Sequence, residues 1–313
     1  MTSNDSPIEI SGLTKTYGAF TAVDGLNLSI KKNSFTGLLG PNGAGKSTTL
    51  KILTNLIRAS SGSAFLNGVD VTKDPKNALM GVGTVVETPE FYLYLTPRES
   101  LEYLGKIIGM TSESISAQTA EILEKVKMTE WADKRLGTFS KGMRQRIALG
   151  QALLDDPSII ILDEPTSGLD PRGMAETREI LKDLKTGNLT ILMSSHMLYE
   201  VSDLCDRVAM INHGKLLVHD DIGIVTAQGA GHMVKVKMTN DITPDILNNI
   251  SGLQNVKTVD QVGTEIEVII DGGNTEQALL LRDLLELNIG VYSVAENENS
   301  LEATYLNMIK ETR

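Results

Sequence analysis

The sequence predicts an α/β fold, a mixed sheet core carrying a helical insertion, followed by a small α+β domain. Three observations carry that expectation. Gly40-Pro41-Asn42-Gly43-Ala44-Gly45-Lys46-Ser47 matches the phosphate-binding loop pattern G-x-x-x-x-G-K-[ST], and it stands between a short apolar run, Phe35 to Leu39, and a stretch of helical spacing from Ser47 onward. Ile159-Ile160-Ile161-Leu162 is four consecutive aliphatic residues, the mark of a strand buried on both faces, and it ends in Asp163-Glu164. Residues 225–313 differ from the rest in charge, with 6 Lys and Arg against 13 Asp and Glu. The expected organisation is therefore a nucleotide-binding domain over 1–224, with a helical subdomain at about 97–154, and a second domain over 225–313.

The whole chain sets the limits. At ~150 residues per domain, 313 residues suggest about two domains. A composition of 41% hydrophobic and 22% charged residues is that of a soluble globular protein. No run approaches the ~18 apolar residues of a membrane span. The start, Met1-Thr2-Ser3-Asn4-Asp5, lacks the basic and apolar regions of a signal peptide, so a cytosolic protein is expected. A single cysteine, Cys205, cannot form an internal disulfide and reads as core. The net charge of −11 disfavours a surface for nucleic acid, whose phosphates draw on clustered Lys and Arg.

Taken in order, Ile8-Glu9-Ile10 and Ala22 to Ile30 read as short strands. Tyr17 stands between them, and its spacing fits either a packing residue in a turn or an aromatic stacked on adenine. In the loop that follows, backbone N–H groups converge on phosphate oxygens and the helix N-terminus adds partial positive charge. Lys46 reaches the β/γ-phosphates and the Ser47 hydroxyl ligates Mg²⁺, with Thr48 next in line. Ala64 to Leu66 and Val82 to Val86 read as strands, the latter ending at Glu87. Thr96-Pro97-Arg98-Glu99 is a helix start, with Thr96 as N-cap, Pro97 at the first helical position and Glu99 closing a capping box. Helical periodicity then runs to about residue 154. Within it, Phe139-Ser140-Lys141-Gly142-Met143-Arg144-Gln145-Arg146 places Ser140 as either an ordinary N-cap or part of a second anion site.

Asp163 and Glu164 fall at the carboxyl end of the buried strand, where ligands bind in doubly wound sheets. Asp163 is placed to hold Mg²⁺ through water, and Glu164 to polarise an attacking water. Thr166 to Pro171 is a turn, and a helix follows to about Lys185. A strand from Leu189 to Met193 then delivers Ser194-Ser195-His196. A histidine there is more often capping or core than catalytic, but a single crossover helix makes this strand a neighbour of the acidic one.

In sequence, GPNGAGKST, FSKGMRQR, ILDEP, SGLD and SSH resemble the ordered motifs of the ATP-binding-cassette ATPases over residues ~8–220. The resemblance implies ATP and Mg²⁺ as cofactors and Tyr17 stacked on adenine. It also implies Ser140 and Gly142 contacting the γ-phosphate, Asp170 and His196 in the loops that sense it, and a head-to-tail homodimer or a pair of related ATPase subunits. Two positions depart from the family pattern. The usual L-S-G-G-Q signature has Lys141 and Met143 at its third and fifth positions. Glu87 stands where the family has a glutamine that touches Mg²⁺ and couples to the membrane subunit; a carboxylate there can still ligate the metal.

Residues 225–313 read as a β-α-β-β-α-β unit, ferredoxin-like in order, with a last helix from Leu301. With the FSKGMRQR form of the signature, this tail is similar to those on ATPase subunits of two-component exporters. The implied role is coupling ATP hydrolysis to a separate transmembrane permease at the cytoplasmic face of the membrane. For the tail by itself, the residues read as a dimerisation or spacer domain with no ligand. A soluble cassette ATPase acting on ribosomes or nucleic acid is the alternative, but the tandem cassettes, coiled-coil insertion and basic surface of such proteins are absent from this sequence. A GTPase would show N-K-x-D after the loop, and none follows.

Overall fold

Apolar residues at alternate positions build the first layer. The computed structural model describes residues 5–229, 232–296, 301, 304 and 305. Two long strands, β1 (Ile8–Tyr17) and β2 (Phe20–Ile30), pair antiparallel. Both are longer than expected at the hairpin end, where Leu13 is the one buried apolar residue added to β1 and register shifts on either side of it break the alternation that would have marked the strand. β3 (Phe35–Leu39) is buried throughout and leads into the phosphate-binding loop and α1 (Lys46–Leu53). β4 (Ser61–Leu66), β5 (Val69–Asp70), α2 (Pro75–Ala78) and β6 (Val82–Val85) follow.

The expected helical insertion is α3 (Pro97–Ile108), α4 (Ser112–Lys125), two short 3₁₀ turns and α5 (Lys141–Ala152). The capping box of α3 is formed as read: the Thr96 hydroxyl accepts from the Glu99 N–H and the Glu99 carboxylate from the Thr96 N–H. The chain then returns to the sheet as β7 (Ile159–Asp163), α6 (Pro171–Lys185), β8 (Thr190–Ser195), α7 (Leu198–Leu204), β9 (Arg207–Asn212) and β10 (Lys215–Asp221). β8 extends two residues beyond the expected Met193, so Ser194 and Ser195 are buried inside the strand. No expectation had been placed on α7, β9 or β10.

The first compact unit, residues 1–219, contains two sheets. One has the order β2-β1-β4-β5; the other has the order β10-β9-β3-β8-β7-β6, with parallel pairing from β9 to β6. Its core joins one face of each: Ile10, Leu26 and Leu28 from the first sheet, Leu38, Ile159, Ile161 and Leu192 from the second, and Leu50 and Leu53 of α1. Chain order β3, β7, β8 becomes spatial order β3-β8-β7, so the carboxyl ends of all three strands lie side by side at a topological switch point.

The second unit, residues 220–313, comprises α8 (Ile222–Gly229), β11 (His232–Met238), α9 (Pro244–Ser251), β12 (Val256–Val262), β13 (Glu265–Ile270), α10 (Asn274–Glu286) and β14 (Val291–Glu296). From β11 onward this is the expected β-α-β-β-α-β order, folded as an antiparallel sheet β12-β13-β11-β14 over a core that includes Val234, Val236, Val268, Ile250 and Leu280. Most of the expected last helix from Leu301 lies outside the described residues.

Candidate nucleotide site

The loop begins where β3 ends and closes on the first turn of α1. Gly45 is the N-cap, with φ of 103°, and a Cβ there would stand 2.4 Å from the Ala22 carbonyl oxygen, so only glycine fits. Lys46 is 5% exposed, and its ammonium donates to the carbonyls of Gly40 (2.8 Å) and Pro41 (3.1 Å). Burial lowers its pKa below the ordinary lysine value, opposed by Glu164 and Asp163 nearby. A cleft over the loop is lined by Asn42, Gly43, Ala44, Gly45, Lys46, Ser47 and Thr48, with Glu164, Ala22 and Phe20 at its sides.

Three strand ends supply the rest. Asp163 Oδ1 accepts from Ser47 Oγ at 3.1 Å and from Ser194 Oγ at 2.5 Å. The Ser194 hydroxyl also accepts the Glu164 N–H at 3.0 Å, so one buried serine holds both acidic residues. Glu164 adopts a left-handed φ of 44°, uncommon for a residue with a side chain and often a mark of functional sites. Its carboxylate lies between two cationic or protonatable groups, Oε1 3.6 Å from Lys46 Nζ and Oε2 3.1 Å from His196 Nδ1. That contact orients the imidazole, with Nδ1 toward the Glu164 carboxylate. The capping and core readings of His196 give way to this placement. The adjacent hydroxyl and carboxylate of Ser47 and Asp163 form the hard oxygen donor pair that Mg²⁺ prefers beside phosphate.

Other expected residues lie apart from this cluster. Ser140 caps α5, accepting from the Met143 N–H at 3.2 Å, and Asp170 caps α6, accepting from the Gly173 N–H at 3.3 Å. A Cβ on Gly142 would come within 3.2 Å of Gly173 Cα, so this glycine lets α5 lie against α6. Lys141 Nζ donates to the Ser167 carbonyl at 3.0 Å, joining the signature to the turn after Glu164. Among the described residues no hydrogen bond or ion pair joins Ser140, Gly142 or Asp170 to the loop of their own chain. Glu87, at φ 74°, is ion-paired with Lys51 of α1 and shares no described hydrogen bond with Ser47 or Asp163. Tyr17 is half exposed, with Lys15 Nζ 4.9 Å above its ring centroid, and the aromatic lining the cleft is its cross-strand partner Phe20. Phe20 was missed; its signal was an aromatic just past the Gly18 turn in an otherwise polar hairpin.

Comparison with known proteins fits this geometry. The family described as ABC transporter matches residues 23–167. The chain is 33% identical over 307 residues to the linearmycin resistance ATP-binding protein LnrL of Bacillus subtilis (strain 168), covering 97% of this chain and 99% of that one. It is 44% identical over 211 residues to the bacitracin transport ATP-binding protein BcrA of Bacillus licheniformis, covering 67% and 68%. Among solved structures it resembles, at 25% identity and a TM-score of 0.61, a dimeric ATP-binding cassette in a post-hydrolysis state bound to ADP and phosphate, over 69% of this chain and 98% of that one. These relatives favour the transporter reading over a ribosome- or nucleic-acid-directed ATPase. The chain belongs to the ATP-binding-cassette family, as an ATP-binding and ATP-hydrolysing subunit of an ABC transporter.

Proposed function

We propose that this subunit powers an exporter, driving a separate transmembrane permease from the cytoplasmic face of the membrane as one of two ATPase subunits arranged head to tail. No helix among the described residues is long and apolar enough to cross a membrane, so a spanning path calls for a partner chain. Relatives named for resistance to or transport of antibiotics support an outward cargo.

One observation supports the chemistry above all: at three neighbouring strand ends, Lys46, Ser47 and Glu164 line one cleft, while Asp163 bonds to Ser47 and His196 to Glu164. Lys46 leaves the loop carbonyls to bind the β/γ-phosphates, with backbone N–H groups of Gly43 to Thr48 cradling the rest. Ser47 and Asp163 would hold Mg²⁺, which neutralises charge on the phosphates when bound. Glu164 orients and deprotonates the attacking water, and His196 steadies that carboxylate through Nδ1. Tyr17 stacks on adenine from the hairpin. Ser140 and Gly142, with Asp170 at the neighbouring helix start, serve the γ-phosphate of the opposing subunit, a reading supported by the lack of any hydrogen bond or ion pair to their own loop among the described residues. Glu87 contributes to the metal side only on leaving Lys51.

Glu164→Gln tests the assignment. The amide cannot act as a base, so turnover should fall by about 100-fold or more while MgATP still binds. An ATP-dependent dimer should then accumulate in size-exclusion chromatography. Turnover at the parent rate would remove Glu164 from the role.

A further inference from the structure

We infer that Glu200 is a positioning residue for ATP hydrolysis, holding the loop that carries Glu164 and the strand end that carries His196 in one register. This rests on the roles given above to Glu164 and His196. Glu200 lies in the first turn of α7 and is 2% exposed, yet no cation pairs with it among the described residues. A buried carboxylate is costly unless hydrogen bonds satisfy it. Here its partners are two hydroxyls from two different segments. Thr166 Oγ1 donates to Oε1, and Ser195 Oγ donates to Oε2 at 2.8 Å. Both donors are 1% exposed. Ser195 Oγ in turn accepts the Met197 N–H at 2.9 Å, and its proton has the Glu200 carboxylate at 2.8 Å as a much nearer acceptor than the Met197 carbonyl at 3.4 Å.

These links close a ring. From Glu164 the backbone runs two residues to Thr166, whose hydroxyl reaches Glu200; Glu200 reaches Ser195; the next residue is His196, whose Nδ1 returns to Glu164 at 3.1 Å. Ser195 also accepts, through its carbonyl, the N–H of Gly40 at 3.4 Å, tying the ring to the first residue of the phosphate loop. An apolar side chain at position 200 would fill the same space at lower desolvation cost. What the carboxylate adds is a bridge between two segments, each one or two residues from a group at the reacting end.

The test uses the full-length chain, comparing Thr166→Val, Ser195→Ala, Glu200→Gln and the triple variant Thr166→Val/Ser195→Ala/Glu200→Leu, with Glu164→Gln as reference. The triple replacement leaves no orphaned hydroxyl or carboxylate and only the partly buried Met197 N–H without its acceptor, so the variant is expected to fold. It should show kcat lowered by about 10- to 100-fold, KM for ATP within about threefold, and a melting temperature near the parent's, because misplacing reacting groups slows chemistry without weakening binding. Thr166→Val and Glu200→Gln combined should lose less than the product of their separate effects, since opening one ring twice adds little. A kcat unchanged in the folded triple variant overturns the inference. Should the triple variant not fold, an unchanged kcat in Thr166→Val and Ser195→Ala overturns it equally. If Glu164→Gln itself turns over at the parent rate, it is the assignment of the base that fails.

Discussion

Glu164 is held at both ends, its backbone N–H by the Ser194 hydroxyl and its carboxylate by His196, and Lys46 beside it is buried. Burial disfavours the ammonium, so the folded pKa lies below 10.5. The destabilisation is present at neutral pH and is relieved as pH rises through the folded value, because the unfolded chain then binds more protons than the native one. Without nucleotide, the stability of the parent relative to Lys46→Met should therefore increase between neutral pH and pH 10.5, in paired denaturant titrations; a flat difference would contradict it. At ATP near 100 times its Kd the parent should gain about 2.7 kcal/mol and the variant none. Lys46, Ser47, Asp163, Glu164 and His196 were legible in the sequence because each sits at a fixed offset from a strand or glycine turn. Ser194, Thr166 and Glu200 were not, since a serine pair and a helical glutamate carry no motif; only the fold shows what they touch.

Helix ends follow the same division at the scale of elements. Thr96 and Ser140 cap their helices through bonds spanning three residues, so local sequence suffices to read them, and Asp170, read only as part of a turn, caps α6 in the same way. By contrast β9 went unread, because its place in the sheet is set by β3, more than 150 residues away, and β10 is placed only through its neighbour β9. How α5 is held also lies outside local sequence. Arg146, 9% exposed, donates to the Lys127 carbonyl at 3.4 Å and pairs with Glu176 of α6 at 3.3 Å, and burial lowers its pKa. Arg146→Met keeps the packing and removes the cross-link. It should cost about 1–3 kcal/mol, since Glu176 is only partly buried and keeps Arg172 as a partner. That would appear as a melting temperature lower by roughly 2–10 °C. An unchanged melting temperature would show that apolar packing alone seats the signature helix.

For the whole molecule, the proposed reading divides the site into two halves that share no hydrogen bond or ion pair among the described residues. The loop, Asp163, Glu164 and His196 would make up one; Ser140, Gly142 and Asp170, which lie at the N-termini of α5 and α6, would make up the other. If each half completes the site of an opposing copy, Ser140→Arg and Lys46→Ala should both be inactive alone, because every dimer then lacks a part in both sites. Mixed, with subunit exchange confirmed, they form heterodimers in which one site draws its loop from the Ser140→Arg chain and its signature from the Lys46→Ala chain, both intact. Random pairing makes half the dimers mixed, each with one good site of two, so up to about a quarter of parent ATPase activity should return if sites act independently, and less if they are coupled. Glu87 enters the same assay through its pair with Lys51. Glu87→Gln removes a carboxylate from beside α1 and should retain ATPase activity, whereas a dead variant would mean that the carboxylate itself serves the metal. No recovery on mixing, with subunit exchange confirmed, would count against independent trans-complementing sites.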